Sequence, residues 1–349
     1  MVQSFYHRQK LGFFIVLLQL FLILNGVSSF AQTTAGNAVY SFLELPYSAK
    51  ITALGGVNIS SIGNDLGISM YNPSLLSAEQ DNQLHIGIKP YFAGIQQYDL
   101  LSTKYWERNK ITWGVGVHFL DYGNINMTDI AGNDIGVMHP NDYAIQFSAA
   151  SDYIPNIRIG STLKYIHSNY GLYKSNAVAM DIGLKYLSAN NLSQVSLLVK
   201  NVGMQIGNET HKQELPFNLI LGWTRKMEFA PIQFSLTADR LSVWNNSYYD
   251  PIYAQSQTTS SPSHLQNVLN HLTIGSEVFI GKQVDLDFGY NIIRRYDLNI
   301  QEQSNGLNGF STGMGLKLER LNFQYGTSFF QNNLYHHFSM NYQLAGKFH

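Results

Sequence analysis

Apolar and polar residues alternate in many stretches of the chain between about residue 83 and residue 344. In one stretch Ile111, Trp113 and Val115 are apolar, whereas Thr112 and Gly114 between them are polar or small. A period of two predicts a β-strand whose two faces meet different surroundings. Each run is about ten residues long, enough for a tilted strand to cross the hydrocarbon core of a bilayer.

The alternating runs predict about fourteen strands, and therefore an all-β fold. They are expected near residues 83–92, 95–106, 111–122, 141–150, 156–167, 176–187, 193–202, 216–226, 231–241, 271–280, 283–293, 308–318, 321–331 and 335–344. In the strand at residues 141–150, the alternation predicts that Phe147 faces lipid and that Gln146 faces the lumen.

The connections between these strands sort by length. The short ones follow even-numbered strands, at residues 107–110, 151–155, 281–282 and 319–320. The long ones follow odd-numbered strands, at residues 123–140, 203–215, 242–270 and 294–307. This sorting is typical of a transmembrane antiparallel β-barrel in the outer membrane, with both termini periplasmic. A soluble β-sandwich gives no reason for it.

The N-terminal residues predict a secretory signal peptide over residues 1–31. Basic residues precede an apolar run at residues 11–24, and small residues at positions 29 and 31 fit a signal-peptidase site. The alternative is an uncleaved signal anchor, but the run is shorter than the roughly twenty residues that a spanning helix needs. The chain has no cysteine, which excludes a lipidated cysteine and any disulfide.

Composition agrees with a barrel. Only 13% of the residues are charged, yet the mean hydropathy is −0.11, because apolar outward positions are averaged with polar inward ones. A formal net charge of −1 gives no long-range attraction for nucleic acid. Aromatic residues near the predicted strand ends are expected to form girdles at headgroup level. They are Tyr105, Trp106, Tyr122, Tyr153, Tyr165, Trp223, Tyr290 and Tyr335.

Closure is required in a bilayer, so the first strand is expected to pair with the last. The positions predicted to face the lumen include charged residues of both signs. They are Arg158, Lys164, Asp181, Lys185, Lys200, Asp239, Glu277, Asp285, Asp287 and Lys317. The mixed signs favour mutual neutralisation across a wet or plugged lumen. The alternative, a charge-selective pore, would more naturally have a ring of one sign.

The sequence predicts no catalytic residue, no cofactor and no metal site. Asp285 and Asp287 share the inner face and could hold a cation, but Lys282 and Lys317 nearby favour a salt-bridged wall. His336 and His337 are expected to point to opposite faces and therefore to form no metal pair.

Residues 32–82 do not alternate, because glycines and prolines interrupt them. We call this part of the chain the hatch segment. It precedes the first strand, so we expect it to enter from the periplasmic side and to fold back into the barrel, residues 83–349, as a plug. Asn72-Pro73 marks a turn in it, because the residue before a proline is pushed out of the helical region.

Six stretches carry a resemblance to a known family. They are residues 37–49 (NAVYSFLELPYSA), 48–57 (SAKITALGGV), 63–66 (GNDL), 71–76 (YNPSLL), 198–203 (LVKNVG) and 215–217 (LPF). With them the chain resembles the PorV/PorQ family of outer-membrane barrels of the type IX secretion system, and its PorQ-like members most. The fold of that family is similar to the fourteen-stranded fatty-acid transporters. The sequence departs from that wider group at Ser74-Leu75-Leu76, where the transporters have Ala-Gly-Leu, so the details of their hatch do not carry over.

The resemblance implies a non-enzymatic role. PorQ-like barrels are held to anchor a surface protein, PorZ, of the complex that attaches exported cargo to lipopolysaccharide. For this chain that implies a PorZ-like partner and contact with outer-membrane lipid and lipopolysaccharide. The alternative is a transporter-like channel for a small amphipathic ligand. A channel needs a continuous apolar path, and the residues predicted to face the lumen are mostly small, polar or charged.

The longest predicted loop, residues 242–270, is the expected partner-binding site. It contains Trp244, Tyr248, Tyr249 and Tyr253, and such residues are favoured anchors at protein interfaces. The alternative is that these rings pack on the loop itself or lie at the membrane boundary.

Overall fold

The computed structural model describes residues 39–171, 173–207, 214–243, 263–297, 306–330 and 333–344. Sixteen strands occur in these ranges. They are β1 (Gln83–Pro90), β2 (Gln96–Trp106), β3 (Ile111–Asp121), β4 (Ile125–Thr128), β5 (Asp134–Met138), β6 (Asn141–Ile154), β7 (Ile157–Tyr170), β8 (Tyr173–Leu187), β9 (Ser193–Ile206), β10 (Asn218–Lys226), β11 (Ile232–Ala238), β12 (Leu272–Ile280), β13 (Val284–Asn291), β14 (Phe310–Lys317), β15 (Leu321–Phe330) and β16 (Asn333–Gln343).

Fourteen of the strands close an antiparallel barrel, which confirms the predicted fold class and strand number. The remaining two, β4 and β5, pair only with each other and form a hairpin between β3 and β6. The hairpin lies within the long connection that the sequence predicts at residues 123–140. Its strands are only 4 and 5 residues long, too short to give a clear alternation.

The barrel closes between the first and the last strand, as predicted. β1 pairs with β16 from Gln83↔Gln343 to Ile88↔Phe338, and β1 also pairs with β2. Every barrel strand therefore has two hydrogen-bonded neighbours, and the barrel sheet has no open edge.

The connections sort to two ends of the barrel, as the sequence predicts. The end with short turns has the connections at residues 107–110, 155–156, 188–192, 227–231, 281–283 and 318–320. The other end has the long connections at residues 122–140, 207–217, 239–271 and 292–309, together with three shorter ones. We call these the short-turn end and the long-loop end.

The two faces of the strands differ as predicted. The side chain of Phe147 is 48% exposed on the outer face, whereas Gln146 beside it is 1% exposed and faces inward. The same alternation of buried and exposed positions runs through β2, β3 and β7. The outer face is consistently apolar at its exposed positions, for example at Leu100, Val115 and Leu163.

Four α-helices lie outside the strands in the described ranges. They are α1 (Ala49–Ala53), α2 (Leu66–Tyr71), α3 (His264–Asn270) and α4 (Ile292–Asp297). Short 3₁₀ turns occur at Ser41–Glu44, Pro73–Leu75, Ala78–Gln80 and Phe92–Gly94. None of the helices in the described residues has the length and apolarity that a membrane-crossing helix needs.

We predict that replacing Phe147 by Arg destabilises the barrel in lipid by about 2–4 kcal/mol, because a charged side chain at mid-membrane depth on the lipid face costs that much. Urea titration of the folded fraction in vesicles measures the cost, with Phe147→Leu as the matched control. A Phe147→Arg protein as stable as Phe147→Leu would show that this face does not meet lipid.

Candidate functional site

The described part of the hatch segment lies inside the barrel. Its first residues, Tyr40 to Leu43, pack at the long-loop end against Leu120 and Ile166 of the wall. Its last residues lie at the short-turn end, where the wall residue Thr103 donates to the carbonyl of Gln80. The segment therefore runs the length of the lumen before β1 begins at Gln83.

Polar side chains of the wall donate hydrogen bonds to backbone carbonyls of the hatch segment. Eight such bonds, of 2.5–3.1 Å, are Lys200 to Leu43, Gln97 to Pro46, Ser311 to Ala53, Asn291 to Gly55, Gln194 to Ser60, Arg158 to Leu76, Thr103 to Gln80 and Gln343 to Asp81. A buried carbonyl without a partner is costly, and this irregular backbone cannot satisfy itself. The polar lumen is thus largely a set of partners for the plug.

Apolar residues of the hatch segment form most of the core. Tyr47, Ile51 and Leu66 are fully buried in one cluster with Leu101 and Leu198 of the wall. Side chains of this size each stabilise by roughly 1.5–3 kcal/mol when fully buried. The hatch segment therefore supplies most of the apolar burial inside the barrel.

Asn72 and Pro73, predicted as a turn, end α2 and connect two parts of the plug. The Asn72 side chain is fully buried, donates to the carbonyl of Ile59 at 2.9 Å and accepts from the Ser74 amide at 3.1 Å. The turn rests on Gly160 of the wall, where a Cβ atom would overlap the Pro73 backbone. Gly160 is therefore required for this close approach.

A buried ion-pair cluster fastens α1 to the wall. The ammonium of Lys50 lies 2.6 Å from Glu277, 3.3 Å from Asp285 and 3.9 Å from Asp287. Lys317 approaches Asp285 from the other side at 3.4 Å. The carboxylates stand on β12 and β13, so this cluster joins the plug to two adjacent strands.

Lys50 remains charged in this setting. Burial alone would lower its pKa, but attraction to Asp287, Glu277 and Asp285 outweighs burial, and the pKa of Lys50 is raised well above its usual value. The sequence predicts a salt-bridged wall here with Lys282 and Lys317. Lys317 takes part, but Lys282 is exposed in a turn at the short-turn end, and its place is taken by Lys50.

A second buried group surrounds Lys200. Its ammonium donates to the Leu43 carbonyl at 2.8 Å and lies 3.5 Å from the centre of the Tyr71 ring, a cation–π contact. Beside it Lys164 pairs with Asp181 at 2.5 Å. The charged lysines of the lumen are thus stabilised by groups of the plug as well as by carboxylates of the wall.

The other inward charges lie nearer the ends of the lumen. Arg158 pairs with Asp152 at 2.7 Å and donates to the hatch segment, whereas Asp239 accepts from Asn218 at 2.9 Å. Lys185 is half-buried near the short-turn end.

The histidines occupy the faces that the alternation predicts. His337 is buried and its Nδ1 lies 2.9 Å from the Thr52 hydroxyl, whereas His336 is exposed beside Tyr325. In the described ranges no group of three or more metal-ligating side chains could hold a metal ion.

The predicted partner-binding residues Trp244, Tyr248, Tyr249 and Tyr253 lie outside the described residues, as does the predicted signal peptide at residues 1–31. Only the two ends of the loop at residues 242–270 are described. One of them contains α3, whose first turn is capped by the Ser263 hydroxyl.

Lys50 is the site residue that sequence reasoning missed. It lies in a part of the chain without alternation, and its partners are more than two hundred positions away in sequence. The one available signal was a lone lysine in the otherwise uncharged stretch from Leu45 to Gly63. Such a residue in a segment assigned to the lumen calls for a carboxylate partner.

Comparison with known proteins gave structural similarity only. No family model matches the chain, and no curated protein matches it. The monoaromatic hydrocarbon channel CymD is 12% identical, with a TM-score of 0.49 over 88% of this chain and 99% of the channel. The toluene transporter TodX of P. putida is 12% identical, with a TM-score of 0.48 over 86% and 97%. A FadL homologue of Pseudomonas aeruginosa is 9% identical, with a TM-score of 0.49 over 86% and 98%.

The fold and the site together define the class of molecule. It is a closed barrel of fourteen antiparallel strands with an internal plug made by its own N-terminal segment. This description rests on the strand pairing and the lumenal contacts of the chain itself.

We predict that Lys50→Met destabilises the protein by about 3–5 kcal/mol, because removing one partner leaves buried carboxylates uncompensated. Lys104→Met is the matched control: Lys104 pairs with Asp81 at 3.2 Å but its side chain is 64% exposed, and such pairs contribute about 1 kcal/mol or less. Urea unfolding followed by heat-modifiable migration compares the two. Equal effects would mean that the cluster does not fasten the plug.

Proposed function

We propose that the chain is an outer-membrane protein that holds a partner at the cell surface through its long-loop end. More specifically, we propose a PorQ-like component of the type IX secretion system that anchors a PorZ-like surface protein and performs no catalysis. The single observation that carries the anchoring role is the plugged lumen, since a filled barrel with long loops at one end suits attachment better than conduction.

The outer surface supports a membrane location. Its exposed side chains are apolar on strand after strand, as Leu163, Phe234 and Met314 illustrate. The backbone groups are paired within a closed barrel, which is the arrangement that a bilayer requires of strands. In such barrels the short turns are periplasmic, so the hatch segment would meet β1 on that side and the long loops would face outward, toward lipopolysaccharide and the cell exterior.

The assignment to type IX secretion is based on the resemblance of six sequence stretches. Three residues in these stretches have structural roles in the plug. Ser48 caps α1, Asp65 caps α2, and Asn72 connects α2 to Ile59. The resemblance therefore supports, above all, a plug like that of the PorV/PorQ family. The role in attachment must be tested by experiment.

We predict that the loop at residues 242–270 is needed to hold the partner but not for the barrel to fold. Residues 246–262 are replaced by a Gly/Ser linker, which leaves α3 intact. Proteins that co-purify with the unmodified barrel are identified, and the amount of each that stays on the cell surface is then measured for both barrels. Retention should fall strongly and depend little on salt, because aromatic burial is not screened as charge pairs are. The length of this loop far exceeds the two to five residues that a hairpin needs.

Two variants keep this result interpretable. A Gly/Ser replacement at residues 298–305, in another long loop, controls for general damage to the long-loop end. Alanine at Trp244, Tyr248, Tyr249 and Tyr253 together keeps the loop length. Normal partner retention by a correctly folded 246–262 variant would exclude this loop and direct attention to the hairpin of β4 and β5.

A second candidate function is passage of a small amphipathic molecule. It is favoured by an apolar patch of the inner wall at the long-loop end, formed by Leu120, Ala144, Ile166, Ala177 and Ala179. Phe42 and Leu43 of the hatch segment cover this patch. If they moved aside, the patch could receive an apolar tail.

A transport assay distinguishes the two proposed functions, because they predict different results. With the plug in place we expect neither a steady porin-like conductance in planar bilayers nor uptake of labelled laurate into vesicles. Phe42→Ser with Leu43→Ser bares the patch and serves as the comparison. Laurate uptake by the unmodified barrel would make transport the better account.

A further inference from the structure

Two cations at the long-loop end of the lumen have no carboxylate partner. Lys89, at the end of β1, is 3% exposed, and the Nη1 atom of Arg294 in α4 is buried without a hydrogen-bond partner. Within the ranges that the structure describes, no carboxylate oxygen lies within 4.0 Å of either cation. Lys50 and Lys164, by contrast, are buried against carboxylates.

A row of aromatic rings runs from Lys89 to Arg294. The ammonium of Lys89 lies 4.9 Å from the Tyr91 ring, which lies 5.7 Å from the Tyr335 ring. Tyr335 is 5.1 Å from Phe330, and the Arg294 guanidinium lies 4.6 Å above Phe330. The two charges are close enough to repel each other.

A buried imidazole adds a donor to this neighbourhood. The register Ile88↔Phe338 puts His337 directly opposite Lys89 at the next step, and His337 is fully buried. Opposed residues on antiparallel strands have Cβ atoms about 5 Å apart. The Nδ1 atom of His337 is engaged by Thr52, whereas its Nε2 has no partner. When the Thr52 hydroxyl donates to Nδ1, Nε2 carries the hydrogen.

The hydroxyl of Ser328 on β15 is a further buried group without a partner. Ser328 is 1% exposed and lies opposite Tyr335 in the strand pairing. Lys89, His337 and Ser328 thus stand on the neighbouring strands β1, β16 and β15, and Arg294 of α4 contacts Phe330 on β15.

The negative charge nearby is already engaged. Asp99 is the carboxylate that acts on Lys89, but its oxygens accept from His118 at 2.6 Å and from Gln97 at 2.7 Å. Burial is the largest influence on Arg294 and lowers its pKa to about 10, so the guanidinium is still charged at neutral pH. Within the described residues, Arg294 thus keeps a buried positive charge that has no carboxylate within 4.0 Å.

We propose that Lys89 and Arg294 form a binding site for a phosphate group that enters from the long-loop end, with His337 and Ser328 as additional donors. Buried charges are normally paired, and an anionic ligand would supply the pairing that the described residues do not give these two groups. Phosphate suits the set better than carboxylate, because it offers more acceptor oxygens and up to two negative charges to donors on three strands and a helix. The group can belong to a soluble phosphate ester or to an outer-leaflet lipid.

The test uses the barrel purified from membranes in a non-ionic detergent and a phosphate-free buffer. Inorganic phosphate, glycerol phosphate and dihexanoyl phosphatidic acid are titrated by calorimetry, with octanoate as the carboxylate probe. The same samples are heated to measure the temperature at which the folded band disappears on gels. Lys89→Met and Arg294→Gln are compared with Lys104→Met, which changes an exposed lysine at the short-turn end.

The wild-type and Lys104→Met proteins should bind at least one phosphate probe and melt at a higher temperature with it. Lys89→Met and Arg294→Gln should weaken binding by about tenfold or more. Without phosphate they should melt no lower than the wild type, because each removes an unpaired buried charge. Binding of phosphatidic acid alone identifies a lipid source, and equal binding of glycerol phosphate identifies a soluble one.

Three results would overturn the proposal. The first is that no phosphate probe binds the wild type. The second is that Lys89→Met and the wild type bind with the same affinity. The third is that octanoate binds more tightly than every phosphate probe. If Lys89→Met does not fold, Ser328→Ala, which removes only one hydroxyl, takes its place and should weaken phosphate binding measurably.

Discussion

The structure depends on one requirement, that irregular backbone inside a closed barrel must find hydrogen-bond partners away from water. The hatch segment has only short helices and turns, so it cannot pair all of its carbonyls within the segment. Side chains such as Gln97, Ser311 and Asn291 supply those partners from the wall. The polarity of the inner wall, which in a porin would hydrate a channel, here matches the backbone of a plug.

Buried charged groups need partners for the same reason, and leaving one unpaired costs more free energy than leaving a carbonyl unpaired. The carboxylates of Glu277, Asp285 and Asp287 would be unfavourable in a dry lumen, and Lys50 of the plug compensates them. The plug and the wall are therefore complementary in charge at this point. At the long-loop end no carboxylate of the described residues lies within 4.0 Å of Lys89 or Arg294, which distinguishes this place from the fastening cluster at Lys50.

The barrel was predictable because alternation is a local property of the sequence. In β3 and β7 the polarity of each residue predicts whether it faces the lumen or the outside. The sorted loop lengths then predict which end of the barrel each connection occupies. Strand ends were less accurate: β6 continues to Ile154 and β8 begins at Tyr173, because pairing extends beyond the apolar band that produces the pattern. The site was harder to predict. Lys50 and its partners meet only through the tertiary fold, and the donor role of Gln194 or Ser311 is invisible until the plug is in place.

The position of α1 has a consequence for the order of assembly. This helix rests on β13, β14, β15 and β16, yet it precedes all of them in synthesis by most of the length of the chain. Its apolar face and Lys50 therefore cannot be buried until the last two hairpins have formed. Seating the plug and joining β16 to β1 then become parts of a single late event. A chain stalled before that event would present both an unpaired strand edge and a bare plug, which are the two features that a cellular quality-control system could recognise.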